Sequence, residues 1–192
     1  MVVERHAAYL TRLDAVLGDG DHGDNLLIGF RSVEAMLEGL PADTPPGELI
    51  GAVGHRLVAA VGGASGPLYG TAFLEAGALA GDDPTIDPAI LGHMLTAAAD
   101  GLARRGRCTV GDKTILDALQ PAAATMADGL ARGLPVGTAS AAAVRAAARG
   151  MRSTRPLVAR RGLALRLGDR SVGHLDPGAV SCTLLLRAIV DD

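Results

Sequence analysis

The sequence predicts an all-α fold in a single domain, and three observations carry that prediction. Apolar residues recur every three or four positions along most of the chain. Aromatic residues make up only 2%, with no Trp, so the core must be built from Ala, Leu, Val, Ile and Met. Those residues suit closely packed helices better than an aromatic-rich β sandwich. Glycine and proline fall where the periodic stretches end, which is where helices stop.

Taken in order, residues 5–17 place Ala8, Leu10, Leu13 and Leu17 on one face before Gly18 stops the pattern. A second helix is predicted from Asp24 to Glu38, closed by Gly39 and Pro41. Pro45-Pro46 opens a third that ends at Gly62-Gly63, and a fourth follows Ser65 and reaches Gly81. Asp87-Pro88 is a capping residue followed by a first-turn proline, opening a helix to about Arg105. The next should run from about Asp112 to Ala131, bent near Pro121, which has no amide hydrogen to donate. An alanine-rich helix is predicted over 138–152 and a last one from about Pro177 to Val190. Residues 155–175 have no helical period and read as a long ordered loop with a short extended piece at 163–167. A structureless stretch of that length inside a domain is more often functional than idle. Neither repeats nor linkers interrupt the chain, so residues 1–192 form one domain in this reading.

The composition, 48% hydrophobic and 20% charged, is that of an ordinary globular protein. A formal net charge of −3 gives no support for a nucleic-acid partner. Cys108 and Cys182 lie far apart without metal-ligand spacing and read as reduced thiols. Met1 is followed by Val-Val-Glu-Arg-His rather than a long apolar leader. No apolar run approaches the ~18 residues of a membrane span. A cytoplasmic protein without a membrane partner is expected.

The segment from Leu13 to Gly23, LDAVLGDGDHG, holds Asp14, Asp19 and Asp21. Carboxylates this close repel one another unless a cation neutralises them, and hard oxygen ligands suit Mg²⁺ or Ca²⁺. An EF-hand is excluded by register: its twelfth position would be Asn25 or Phe30 rather than glutamate. A solvated turn is the plain alternative. However, Asp24-Asn25 opens a helix at once, and a helix N-terminus offers free amides to an anion. Carboxylates for a metal followed by donors for phosphate make a metal–nucleotide site.

Two further stretches stand out. Gly62 to Thr71 (GGASGPLYGT) is a glycine-rich turn opening onto a helix, without the lysine of a P-loop; Ser65 and nearby amides could hold a phosphate. In Arg170 to Ala179 (RSVGHLDPGA), Asp176 could cap the last helix, and His174 is expected to be buried and hydrogen-bonded. Within Gly111-Asp112-Lys113-Thr114, Asp112 either caps a helix or the segment touches a nucleotide. No Ser–His–Asp or Cys–His pairing can be argued from the sequence.

Together LDAVLGDGDHGDN, GGASGPLYGT, GDKTILDAL and RSVGHLDPGA resemble, in order and over nearly the whole chain, the nucleotide-binding L subunit of dihydroxyacetone kinases and the homologous C-terminal domain. The resemblance implies an eight-helix barrel. It implies that Asp14, Asp19 and Asp21 chelate two Mg²⁺ ions on ADP or ATP. It further implies that His22, Gly23, Asn25, Ala64 and Ser65 line a phosphate pocket, with Gly106, Ile115, Asp176 and Gly178 near the rest of the nucleotide. No catalytic residue is assigned.

A separate K-type subunit would hold the ketose through a histidine, and a phosphohistidine carrier of the phosphotransferase system would recharge ADP. Related readings are an ATP-dependent kinase domain for another ketose or a fatty acid, and a non-catalytic nucleotide-sensing regulator. A homodimer is also compatible with the family. Two departures are visible. Leu163 stands where the resemblance expects an arginine, leaving Arg161 or Arg166 to compensate. Only thirteen residues precede Asp14, so a short first helix with some exposed core is expected.

Overall fold

The computed structural model describes residues 1–191 and is all-helical among them. The helices are α1 (Val2–Leu17), α2 (His22–Leu37), α3 (Pro46–Ala60), α4 (Ser65–Ala80), α5 (Pro88–Gly106), α6 (Leu116–Ala131), α7 (Val136–Ser153) and α8 (Pro177–Asp191), with a 3₁₀ segment, Leu163–Ser171, before α8. Each helix packs on the next along the chain, and α8 returns to α1, closing the ring. The expected eight-helix barrel is therefore present. Among the described residues, no helix is long and apolar enough to cross a membrane.

Small residues let the barrel close without aromatics. A side-chain carbon on Gly54 would press on the Gly70 carbonyl, and one on Gly47 on the Gly81 carbonyl, so α3 and α4 pack backbone to backbone. The core is lined by Leu10, Leu26, Leu57, Leu102, Leu116 and the alanines of α6 and α7. Between the helices lies an apolar cavity of about 530 Å³, open to solvent and bordered by Phe73, Leu95, Met126 and Leu186.

Several expectations are corrected. Helix α2 begins at His22, two residues earlier than predicted, because the Asp14 carboxylate accepts the His22 amide and organises the turn before it. Helix α6 begins at Leu116 rather than Asp112. Gly111 (φ 97°) and Lys113 (φ 64°) are left-handed there, which no helix tolerates. The stretch at 163–167 is not extended but belongs to the 3₁₀ segment. Its nine residues carry a kink at Gly168, which breaks the segment into short helical turns.

Pro121 sits inside α6, as predicted. It leaves the Asp117 carbonyl without its helical donor, and Gly150 of α7 lies directly over that oxygen. Asp87 caps α5 by accepting the Ala89 amide at 2.9 Å. The first helix is not short as expected: its 16 residues equal those of α2, α4 and α6, and it buries Val3, Ala7, Leu10 and Leu17 while leaving Tyr9 and Val16 exposed.

Candidate functional site

The connections α1–α2, α3–α4, α5–α6 and α7–α8 alternate along the chain, and all of them meet at one end of the barrel around a cavity of about 740 Å³. Every sequence stretch singled out above falls on one of these connections. The polar groups therefore converge, although they are far apart in the chain.

Asp14 lies in the last turn of α1. One of its oxygens, Oδ2, accepts the amides of Gly20 and Asp21 at 3.0 Å and of His22 at 3.2 Å. This binds the glycine-rich turn around the carboxylate and brings Asp19 and Asp21 back beside it. One oxygen from each of Asp14, Asp19 and Asp21 then lies within 4.8 Å of the others. Opposite oxygens of an octahedral Mg²⁺ shell are ~4.2 Å apart, so the donor set fits a hard divalent cation with little adjustment. Desolvation, then the neighbouring charges of Asp19 and Asp14, push the Asp21 carboxyl above its ordinary value, against an opposing hydrogen bond from Asn25. That is the electrostatic load a cation would relieve.

His22 is buried at the start of α2. Its Nδ1 lies 3.0 Å from Ser65 Oγ and its Nε2 2.9 Å from Ser181 Oγ. Burial holds its pKa below the ordinary value, with Asp14 and the Pro177 carbonyl opposing, so the ring is neutral at pH 7. Ser65 opens α4, and Gly62, Gly63 and Ala64 form the exposed turn before it. The free amides at the start of α4 suit an anion.

On the far wall, Asp117 accepts the amides of Gly111 (2.6 Å) and Thr114 (2.7 Å), holding the 111–114 turn. Asp112, offered above as a cap, instead accepts the Thr109 amide and pairs with Arg161 at 3.3 Å. Lys113 is buried and donates to the carbonyls of Thr154 (2.7 Å) and His174 (2.5 Å). Burial lowers its pKa, while Asp176 and Asp117 oppose the shift. His174 itself is exposed, contrary to expectation; the structure uses its carbonyl rather than its ring. Asp176 caps α8 through the Ala179 amide at 2.7 Å, and burial pushes its carboxyl up to about 7. Cys108 and Cys182 are free and buried.

Of the residues expected at the site, Asp14, Asp19, Asp21, His22, Ala64, Ser65, Gly106, Ile115, Asp176 and Gly178 border the cavity. Gly23 and Asn25 lie beside the cavity's lining, in the first turn of α2. Gly23 is pressed against the Ala7 carbonyl of α1, where any side-chain carbon would collide. The Asn25 amide lies between Asp21 and Gly62. Arg105, Arg161 and Arg166 supply positive charge to the rim, and the buried Lys113 lies in the wall. The buried Ser181, Thr154 and Asp117 carry no local signal; each is a single polar residue within an otherwise apolar helical pattern or at its end.

Fold and site define a single-domain helical barrel with a carboxylate cluster and a helix N-terminus facing one cleft, the arrangement of a metal–phosphate-binding domain. The profile of the DAK2 domain matches residues 16–191, and the chain belongs to that family. It is 41% identical, over its whole length and 88% of the other, to the ADP-binding subunit DhaL of PEP-dependent dihydroxyacetone kinase 2 of Listeria innocua. Identity to the ADP-binding subunit DhaL of the Escherichia coli PEP-dependent dihydroxyacetone kinase is 36%, over 98% of this chain and 89% of that one. Among solved structures, the dihydroxyacetone kinase of C. freundii in complex with AMP-PNP and Mg²⁺ superimposes with a TM-score of 0.72 at 27% identity. That match covers 99% of this chain but 31% of the larger kinase.

Proposed function

We propose that this chain is the nucleotide-binding, phosphoryl-transferring subunit of a dihydroxyacetone-type kinase. The observation that carries the reading is the convergence of the Asp14–Asp19–Asp21 cluster and the Ser65 helix N-terminus on one cleft. Its relatives named as ADP-binding subunits, and the kinase structure holding AMP-PNP and Mg²⁺, support the same assignment.

In this reading Asp14, Asp19 and Asp21 hold two Mg²⁺ ions, which when bound neutralise phosphate charge. Asp14 keeps the acidic turn folded through its amide bonds and contributes a carboxylate oxygen to the cluster. The backbone amides at the start of α4, those of Ala64 and Ser65 included, receive phosphate oxygens, and His22 holds the Ser65 side chain in place. Gly106, Ile115 and Gly178 border the remainder of the nucleotide, whose approach small residues permit. Gly23 and Asn25, at the start of α2, complete the phosphate pocket. Phosphoryl transfer depends on position and charge more than on covalent chemistry by the protein, so no nucleophile is required of this chain. The ketose sits on a separate K-type subunit, and a phosphohistidine carrier recharges the bound ADP.

Two measurements test this. Protein purified without added nucleotide is denatured and the released adenine nucleotide and Mg²⁺ are quantified; near-stoichiometric ADP is expected. Asp19→Ala combined with Asp21→Ala should abolish Mg²⁺-dependent nucleotide binding. Unchanged binding by that variant refutes the metal assignment. Turnover with a K-type subunit should require the phosphorylated carrier rather than free ATP.

A further inference from the structure

Behind the cleft, three helices are tied by a buried chain of side chains. Tyr69 OH lies 2.7 Å from Ser181 Oγ, and the same oxygen is 2.9 Å from His22 Nε2 and 3.1 Å from the Gly178 carbonyl. The other imidazole nitrogen, Nδ1, is 3.0 Å from Ser65 Oγ. Tyr69, Ser181 and His22 are 5%, 2% and 8% exposed, so water cannot substitute for a missing partner. Each hydrogen must therefore be placed within the chain.

The placement is determined by what each group can do. The Gly178 carbonyl only accepts, so the hydrogen of Ser181 goes there. Ser181 Oγ then has two lone pairs left, one for the Tyr69 hydroxyl hydrogen and one for an N–H on His22 Nε2. A neutral imidazole with its hydrogen on Nε2 has a bare lone pair on Nδ1, which accepts the Ser65 hydroxyl. Among the neutral forms of the ring, only this arrangement makes these four contacts at once. The Ser65 hydrogen is thereby turned inward, and its oxygen faces the cleft as an acceptor.

We propose that Ser181 and Tyr69 are positioning residues that fix His22 in the Nε2–H tautomer and so set the direction of the Ser65 hydroxyl. An acceptor at Ser65 suits the water shell of a cation or a donor on the ligand; phosphate oxygens are left to the α4 amides. The role in ligand binding rests on the nucleotide reading above, whereas the tautomer does not.

The test has two arms. In protein labelled with ¹⁵N-histidine, a long-range ¹H–¹⁵N correlation spectrum at pH 8 reports the tautomer of His22 without any nucleotide. His22→Gln identifies its signals, the wild type should show Nε2–H, and Ser181→Ala should shift the ring away from that single form. An Nδ1–H ring in the wild type overturns the proposal. In the second arm, Mg-ADP binding is titrated for the wild type, Ser181→Ala, Tyr69→Phe, Ser65→Ala and the pairwise combinations with Ser65→Ala. Ser181→Ala should weaken binding about fivefold and Tyr69→Phe about threefold, the size of one misdirected hydrogen bond. Neither should weaken it further once Ser65 is alanine. Losses that multiply in the combined variants overturn the positioning role, because a merely structural defect would act independently of Ser65. A wild type that shows Nε2–H but binds no nucleotide overturns the nucleotide reading and the binding role with it.

Discussion

Replacing Asp176 by asparagine should stabilise the ligand-free protein at alkaline pH and leave it unchanged in acid. The Asp176 carboxyl is raised to about 7 by burial, with Asp117 and Asp14 adding to the shift and the Ala179 amide and Lys113 opposing it. A raised acid binds its proton more tightly in the folded state. Its contribution to stability is full below the ordinary value of 3.8 and is lost as the pH rises through about 7. The interval corresponds to about 4 kcal/mol at most. Because the carboxyl borders a solvent-filled cleft, about half of that is expected. Asparagine keeps the cap, since its carbonyl can accept the Ala179 amide. The assay is urea unfolding of metal-chelated, nucleotide-free wild type and Asp176→Asn at pH 4 and pH 8. The variant should match the wild type at pH 4 and exceed it by about 2 kcal/mol at pH 8. In thermal melts this is a rise of roughly 4–8 °C. A difference that is the same at both pH values, or a variant less stable at pH 8, would refute the reasoning.

Two further outcomes are expected. Gly150→Ala pushes a methyl group into the Asp117 carbonyl, where the helix pair cannot yield without shifting, so urea unfolding should report a loss of about 2–3 kcal/mol. A loss below about 0.5 kcal/mol would mean that α6 and α7 separate easily. At the rim, Arg161 is engaged with Asp112 and the Arg107 carbonyl, whereas among the described residues no hydrogen bond or ion pair holds Arg166. Arg166→Ala should therefore weaken Mg-ADP binding about tenfold in a titration and leave the melting temperature of the empty protein unchanged. Arg161→Ala should do the reverse, and equal effects of the two would contradict this division.

The helices were legible because their signals are local. The apolar period, the Asp87-Pro88 start and the glycine stops are read within one or two turns, and α3, α4, α5 and α8 lie close to where these signals put them. The acidic turn was legible for the same reason, its carboxylates lying within eight residues. The failures were of a different kind. Lys113 in a left-handed conformation stops α6 from starting at Asp112; Asp117 holds that turn through the Gly111 and Thr114 amides, and the distant carbonyls of Thr154 and His174 anchor the Lys113 side chain. His174 had the look of a core histidine, but it is the Lys113 contact to its carbonyl that matters.

By itself, then, the sequence determined that this is a helical domain carrying a carboxylate turn fit for a hard cation, with glycine-rich turns where helices begin. Tertiary structure decided that alternate connections meet at one end of a closed ring, so that stretches spaced along the whole chain share a cleft. It also decided the hydrogen-bond chain in which His22 meets Ser65, 43 residues away, and Ser181, 159 residues away. The physical reason is range. Periodicity, capping and turn chemistry act between residues a few positions apart and leave a pattern. A buried serine that orients a histidine acts through space and leaves none.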